Sequence, residues 1–425
     1  MTIPELHSLF LKSPNISTDT RTIGANCIFF ALKGDNFNGN KYGAQALEKG
    51  AAYVILDEKE YATSNTFIVV DDVLQTLQEL ATYHRNYCEA KIIALTGSNG
   101  KTTTKELINV VLSKKYKTTA TRGNLNNHIG VPLTLLTIKK DTEIAIVEMG
   151  ANHLEEIAFL CKIAQPDFGY ITNFGKAHLE GFGSQEGVIK AKSELYDYLI
   201  RNDKSIFMNA DDSVQMAKLS GYIKKYGFST EKQRFHKIEF FGADPFVKLK
   251  TEDSIISSQL VGSYNFTNSA AAVLIGKYFN VSLPDIKAAI ESYVPENNRS
   301  QIIKKNSHKI ILDAYNANPT SMEAALQNFD AMGNNPKVAF LGDMFELGKS
   351  AAQEHQYIAD LVAKMNIEKV FLIGENFFEV KTAHQKFDSF EAISSYLEKE
   401  SLPAKSHILI KGSRGMALER LLNLL

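Results

Sequence analysis

The stretch Ile92-Ile93-Ala94-Leu95-Thr96-Gly97-Ser98-Asn99-Gly100-Lys101-Thr102-Thr103 decides the fold. Four apolar residues run into a turn rich in glycine and asparagine, and a helical pattern then continues to about Lys115. A strand that turns through glycines into a helix presents backbone N–H groups and the positive helix end to a phosphate. In that setting Lys101 reaches the outer phosphates and the Thr102 hydroxyl binds Mg²⁺. The eight-residue form of the motif needs a glycine where this chain has Leu95, so the loop from Gly97 to Thr102 is a shortened one. The alternative is a plain turn with an incidental lysine. The strand before and the helix after favour an ATP site.

Composition bounds the rest. The chain has 425 residues, long enough for about three domains. With 44% hydrophobic and 22% charged residues and a net charge of −1, it reads as an ordinary soluble globular protein. Its 47 basic residues are dispersed, which argues against a nucleic-acid groove or an anionic membrane surface. Cys27, Cys88 and Cys161 lie far apart, without metal-ligand spacing, and read as buried free thiols in a reducing compartment. Met1 to Phe10 lacks the basic and apolar regions of a signal peptide, and apolar runs such as Ala270 to Gly276 are too short to span a bilayer. A cytoplasmic location is expected.

Three segments separate by pattern, at 1–85, 86–298 and 299–425. The first carries an apolar run from Cys27 to Leu32, a turn-rich loop from Lys33 to Asn40, a short helix and a strand from Ala52 to Leu56. The middle one alternates short apolar runs (Ile144–Val147, Phe168–Thr172, Ser205–Met208) with helices, as a parallel sheet covered by helices does. Within it, Phe235–Phe241, Phe246–Lys250 and Ser254–Leu260 suggest an antiparallel side sheet. The last repeats strand and helix through Lys309–Leu312, Lys337–Leu341, Lys369–Ile373 and His407–Ile410. A capping box of Thr320 with Glu323 is expected to open its first helix. This doubly wound pattern puts ligands at the carboxyl ends of the strands, where polar loops begin at Asp313, Gly342 and Lys411. Glu148 ends its strand beside the phosphate loop, where a Mg²⁺ ligand belongs, although a lone strand-end carboxylate is also common as structure. His178 likewise follows a strand; a single histidine is more often a satisfied structural residue.

The blocks TGSNGKTTTKE (96–106), TRGNLNNHIGVPLTLL (121–136) and EMG (148–150) together resemble the Mur ligase family, ATP-dependent amide-forming enzymes of peptidoglycan precursor synthesis. NFGKAHLEGFGS (173–184), AKSELY (191–196) and GSYNFTNSAAAV (262–273) extend the likeness. LDAYNANPTSMEAAL (312–326), LGDMFELG (341–348) and KGSRGMALE (411–419) resemble the branch that adds D-alanyl-D-alanine, the MurF type. The resemblance spans essentially the whole chain.

It implies an α/β protein of three-domain Mur ligase architecture: a small UDP-sugar-binding domain, a phosphate-loop ATPase domain with a parallel central sheet, and a Rossmann-like domain for the incoming D-alanyl-D-alanine. The implied reaction phosphorylates the carboxylate of UDP-N-acetylmuramoyl-tripeptide with ATP, and the dipeptide amine then attacks the acyl phosphate. A carboxylate is a poor acyl donor, and phosphorylation converts its oxygen into a leaving group; the enzyme's part is positioning and charge neutralisation.

The resemblance implies that Gly97, Ser98, Asn99, Gly100, Lys101, Thr102 and Thr103 wrap the phosphates, with Lys101 on the transferred group. Two Mg²⁺ sites are implied, with Thr102 and Glu148 at the first and His178 at the second. Lys192 matches a lysine that relatives carry as a carbamate, an anionic oxygen ligand; a bare helical lysine is otherwise a solvated cation. Asn265 and Asn268 match positions near the adenine, and Arg299 and Asp313 match ATP contacts made once the last domain closes. Asn126, Asn127 and His128 match the muramoyl-substrate loop; Thr18, Asp19, Thr20, Arg21 and Asn38 match the uridine and diphosphate region. There relatives usually show F-D-G-H where this chain has Phe37-Asn38-Gly39-Asn40, and Leu312 stands where an acidic residue commonly precedes Asp313. Tyr315, Asn316, Asn318, Ser413 and Arg414 fall on the D-alanyl-D-alanine side, with Arg414 able to meet a terminal carboxylate.

A monomer acting on small molecules is expected, with a hinge near Glu296-Asn297-Asn298. The competing readings are a third-residue-adding Mur ligase, a folylpolyglutamate synthase-like ligase and a non-catalytic nucleotide-binding regulator. The YNANP and KGSR blocks oppose the first two. Lys101, Thr102, Glu148, His178 and Lys192 together oppose the third.

Overall fold

The computed structural model describes every residue of the chain except Asn297 and Asn334. Two compact units emerge: one of residues 1–95, 116–150 and 156–169, the other of 96–115, 151–155 and 170–425. Segment 1–85 lies wholly in the first and segment 299–425 wholly in the second, while the middle segment is shared. The expected hinge includes Asn297 and so falls partly outside the described residues.

The first unit opens with helix Ile3–Lys12, started by a capping box of Thr2 and Glu5. A four-strand parallel sheet follows, ordered Asn15–Ser17, Cys27–Phe30, Ala51–Leu56, Phe67–Val69. Cys27–Phe30 is buried at every position, which is why it reads as an unbroken apolar run rather than an alternating one. Helix Val73–Cys88 is capped by Asp72 and buries Val73, Leu77, Leu80, Ala81, His84 and Cys88 along one stripe. Strand Lys91–Thr96 then pairs in parallel with the fully buried Ile144–Glu148, which also pairs with Thr118–Ala120.

The second unit holds helix Lys101–Leu112, a parallel set Ser205–Asn209, Lys225–Ser229 and His236–Lys237, and an antiparallel sheet Glu239–Ala243, Phe246–Thr251, Ser254–Val261. The side sheet thus exists, but its first strand starts later than expected. His236–Lys237 pairs with Lys225–Ser229 instead, and the buried Ile238 ends that pairing through its N–H to Ser229 O. Helix Asn265–Tyr278 is buried almost all round.

Residues 301–411 form a six-strand sheet ordered Gln301–Lys305, His308–Asp313, His407–Lys411, Lys337–Gly342, Lys369–Ile373, Gln385–Phe387. All pairs are parallel except the first, a hairpin that the sequence pattern did not reveal. Helix Pro319–Ala331 is capped by Asn318 with Ser321. This corrects the expected Thr320–Glu323 box: Pro319 sits best in the first helical turn, which moves the cap one residue before it. Cys27, Cys88 and Cys161 are buried free thiols. Among the described residues, no helix is long and apolar enough to cross a membrane.

Candidate active site

The phosphate loop is built as its glycines require. Gly97 has φ +141°, and a Cβ there would lie 2.0 Å from Thr172 Oγ1; Gly100 has φ +79°, and its Cβ would meet Asn268 Oδ1 at 2.5 Å. Both positions exclude a side chain by conformation and by space. Gly100 is the N-cap of helix Lys101–Leu112, so the first turn's N–H groups face the loop's concavity. Lys101 Nζ donates to Gly97 O at 2.7 Å and to Ser98 O at 3.2 Å, folding its ammonium over the loop.

The loop's shape is held by the segment after strand Phe168–Ile171. Ser98 N donates to Asn173 O, Ser98 Oγ to Gly175 O at 2.6 Å, and Asn99 N to Asn173 Oδ1 at 3.1 Å. Asn99 O accepts from Thr172 Oγ1 at 2.6 Å and from Asn173 Nδ2 at 3.0 Å. From the 299–425 segment, Asn318 Nδ2 donates to Asn99 Oδ1 at 2.7 Å. Asn173 therefore belongs to this site although the sequence reading passed over it. A polar residue just past a strand's carboxyl end was the available signal, the same one that marked Glu148.

Asn265 and Asn268 are buried, 3% and 5% exposed, in one network. Asn268 Oδ1 accepts from Thr104 Oγ1 at 3.0 Å, its amide donates to Asn265 Oδ1 at 2.8 Å, and Asn265 donates to Val261 O. The structure places both asparagines as the scaffold behind Gly100.

Glu148, 1% exposed, is held within the first unit. Its N–H donates to Thr121 Oγ1 at 2.9 Å, and its Oε1 accepts from Asn126 Nδ2 at 2.9 Å. Strand register pairs it with Leu95, two residues before Gly97 in the chain. Asn127 Oδ1 accepts the N–H groups of Ile129 and Gly130 at the start of helix Gly130–Leu135, and His128 O accepts from Gln78.

His178 adopts the left-handed conformation, φ 52°, at the start of the short helix Leu179–Phe182. Its Nδ1 lies 2.6 Å from Glu346 Oε2, although the oxygen sits off the direction of an aligned hydrogen bond. His178, ahead of the positive charge on Lys101, holds the Glu346 carboxyl below the usual carboxylate range. Glu346 is a second residue that sequence reasoning missed.

Lys192 is fully buried, with Nζ 3.1 Å from Ala151 O and 5.0 Å from the centre of the Phe182 ring, whose other neighbour is His178 at 6.3 Å. Among the described residues, no three His, Cys, Asp or Glu side chains cluster as a ready metal cage. Oxygen donors of the kind Mg²⁺ takes occur singly, the Thr102 hydroxyl in one unit and the Glu148 carboxylate in the other.

In the 299–425 segment, Asp313 is paired with Lys411 at 2.5 Å across adjacent strand ends and accepts Ser300 N at 3.1 Å. The Arg299 guanidinium stacks 3.7 Å from the Tyr315 ring centre, with its buried Nε unpartnered. Asn316 Oδ1 accepts from Ala317 N, Ser413 Oγ accepts from Phe345 N at 2.9 Å, and the exposed Arg414 pairs with Glu419. In the first unit, Asp19 is drawn down to about 2 by its hydrogen bonds from Arg21. Thr18 and Thr20 lie on the same turn. Asn38 donates to both Glu58 oxygens, while Asn40 bridges Asp57. The altered F-N-G-N stretch is thus satisfied by amides paired with carboxylates.

Comparison with known proteins places this geometry. Residues 13–85 match the Mur ligase family catalytic domain, 95–276 the Mur ligase middle domain, and 298–414 the Mur ligase glutamate ligase domain. The UDP-N-acetylmuramoyl-tripeptide–D-alanyl-D-alanine ligase of Bacillus subtilis is 35% identical over 420 residues, covering 96% of this chain and 92% of the relative. A crystal structure of MurF from Acinetobacter baumannii superposes with a TM-score of 0.86 at 33% identity, over 96% of this chain and 92% of that one. MurF ligase from Thermotoga maritima, crystallised with ADP, gives 0.84 at 26% identity over 97% of each chain. A phosphate loop locked to the 173–178 segment, matched domain by domain along its length, establishes that the chain belongs to the Mur ligase family, in the branch of the D-alanyl-D-alanine-adding ligases.

Proposed function

We propose that this chain ligates D-alanyl-D-alanine to UDP-N-acetylmuramoyl-tripeptide with ATP, through an acyl phosphate, releasing ADP and phosphate. The observation that carries the reading is the phosphate loop, whose cationic Lys101 is preorganised over Gly97 and Ser98 and whose Asn99 is tied to Asn318. Phosphate binding replaces the two loop carbonyls as partners of Lys101, and the lysine then follows the transferred group. Mg²⁺, when bound, would neutralise phosphate oxygens; by the family likeness Thr102 and Glu148 would hold one ion, and His178 with Lys192, as a carbamate, a second. Asn126 and Thr121 orient Glu148 for that role.

In this reading, residues 1–85 take the UDP-sugar, 86–298 the ATP and 299–425 the dipeptide. Arg299 supplies a pre-stacked guanidinium for the nucleotide, and Asn265 and Asn268, near the adenine by the family likeness, also brace the loop from behind. Tyr315, Asn316 and Arg414 lie at strand ends on the dipeptide side, Arg414 being the donor for a terminal carboxylate. The enzyme works as a cytoplasmic monomer.

The test is mass spectrometry of reactions containing ATP, Mg²⁺, UDP-N-acetylmuramoyl-tripeptide and D-alanyl-D-alanine. UDP-muramoyl-pentapeptide with one ADP per product is the expected outcome. Binding of ATP without turnover under any combination of substrates would replace the ligase by a regulator.

A further inference from the structure

Ser300 is the corner at which the chain enters strand Gln301–Lys305, and it is held from two directions. On one side its N–H donates to Asp313 Oδ1 at 3.1 Å, and Asp313 Oδ2 takes Lys411 Nζ at 2.5 Å, so the corner is fixed to two strand ends of the last sheet. On the other side its hydroxyl oxygen lies 2.9 Å from Tyr264 Oη, at the N-cap of helix Asn265–Tyr278. The Tyr264 ring covers Gly262, where a Cβ would lie 2.3 Å from Cε1. Ser300 is 7% exposed and has φ 49°, a left-handed conformation disfavoured for a residue with a side chain. Such strain persists only where surrounding contacts over-determine it.

The contacts on either side of Ser300 lead to different parts of the site. Helix Asn265–Tyr278 carries Asn268, which fills the space beside Gly100 and accepts from Thr104 on the helix that follows the phosphate loop. Ser300 is preceded by Arg299, whose guanidinium rests 3.7 Å from the Tyr315 ring centre with its buried Nε unpartnered. Stacking on Tyr315 ties Arg299 to the loop after strand His308–Asp313, while the Tyr264–Ser300 bond ties the same corner to the helix that braces the phosphate loop. We infer that Tyr264 and Ser300 form a clasp that positions Arg299 relative to the phosphate loop, so that its guanidinium meets a nucleotide held there. Both are positioning residues: each hydroxyl is occupied by the other, and their effect passes through Arg299. The clasp rests on the proposed reading of Arg299 as a nucleotide contact, and not on the ligation that follows.

The experiment is calorimetric titration of the full chain with ATP and Mg²⁺, comparing the parent with Tyr264→Phe, Ser300→Gly, Arg299→Ala and the double variant Tyr264→Phe/Arg299→Ala. Losing either hydroxyl deletes one hydrogen bond, and ATP should bind about 3–10-fold more weakly. Glycine accepts the φ of 49° without strain, so Ser300→Gly should show this loss at a Tm near the parent's, which separates positioning from damage to the fold. Affinity for UDP-N-acetylmuramoyl-tripeptide should be unchanged in every variant. In the Arg299→Ala background, Tyr264→Phe should weaken ATP no further, because the clasp acts through the residue already removed. Thermal unfolding checks that the variants are folded; if Tyr264→Phe is not, Ser300→Gly decides. Parent-like ATP affinity in the folded clasp variants, or the same loss from Tyr264→Phe with and without Arg299, overturns the inference. Parent-like affinity in Arg299→Ala overturns it too, by removing Arg299 from the nucleotide. Since binding is read without turnover, a parent that makes no pentapeptide but shows the expected pattern would sink the ligase reading and uphold the clasp.

Discussion

Asn99 and Lys101 divide the phosphate loop between them. Asn99 spends its backbone on Thr172 and Asn173 and its side-chain oxygen on Asn318, so it sets shape. Lys101 donates to the loop carbonyls of Gly97 and Ser98 and supplies charge. Lys101→Ala should therefore leave the thermal unfolding curve nearly unchanged and remove acyl-phosphate formation, a loss of several kcal/mol of transition-state stabilisation. Turnover near the parent rate in a folded variant would refute the loop's role. Asn268 predicts the reverse. Removing its amide strands Thr104 Oγ1 and Asn265 Oδ1 in a buried network, at about 1–3 kcal/mol. Calorimetry of Asn268→Ala should show that loss; an unchanged Tm with a raised KM for ATP would return this residue to the adenine.

Lys192 presents a third case at this scale. A fully buried ammonium is costly to hold, and conversion to a carbamate changes it into an oxygen donor. Lys192→Ala should be nearly inactive and partly rescued by formate or acetate. ¹³C-bicarbonate should label the parent near the carbamate region and leave the variant dark; an unlabelled parent removes the carbamate. The loop and Glu148 were legible because each is marked locally, by spacing or by a strand end, whereas Lys192 stood out only through the family resemblance. Glu346 was not, since a lone glutamate beside a turn reads as solvated and its partner lies far away in sequence.

Among elements, the parallel strands were readable because burial on both faces makes them continuous apolar runs, as in Cys27–Phe30 and Ile144–Glu148. Gln301–Lys305 was not, because its partly exposed edge position carries two lysines among its isoleucines and has no apolar run. The seam between helices Ile3–Lys12 and Val73–Cys88 carries a pH dependence that no local pattern announces. His7 Nε2 lies 2.9 Å from His84 Nδ1, and His84 Nε2 lies 2.7 Å from Ile138 O. The His84 ring thus donates to Ile138 and accepts from His7, and both rings are neutral. Burial, and then the repulsion it would meet from a protonated His84, push His7 down to about 4. Because the unfolded chain binds the proton more readily, stability is full above about pH 6.5 and falls as pH drops towards 4. The loss should be on the order of 2 kcal/mol. Urea unfolding of the parent and of His7→Phe across that window checks this; an unchanged slope in the variant would remove His7 as the source.

At the level of the whole molecule, polar contacts dock 299–425 onto residues 173–181. Lys176 Nζ lies 2.8 Å from Glu354, Lys176 N donates to Thr320 Oγ1 at 2.9 Å, and Glu180 N donates to Glu346 O. Gly175 leaves room for Thr320, which a Cβ would approach within 3.1 Å. A pair between a half-exposed lysine and a glutamate contributes at most about 1 kcal/mol in salt. Such a seam can open and close on the timescale of turnover, and bulky substrates must enter before water is excluded from an acyl phosphate. Bound ATP and UDP-tripeptide should shift the population towards the docked arrangement by adding contacts made only there. Spin labels on exposed Lys190 and Lys364 would report the separation by pulsed electron resonance. The distribution should be broad without ligands and narrow with both present, while either ligand alone gives an intermediate. Lys176→Glu should broaden it under saturating ligands, and adding Glu354→Lys should narrow it again, because the swap restores the pair with its charges reversed. A narrow, ligand-independent distribution in the parent would mean that the docked arrangement is permanent and that substrates reach the site without it opening.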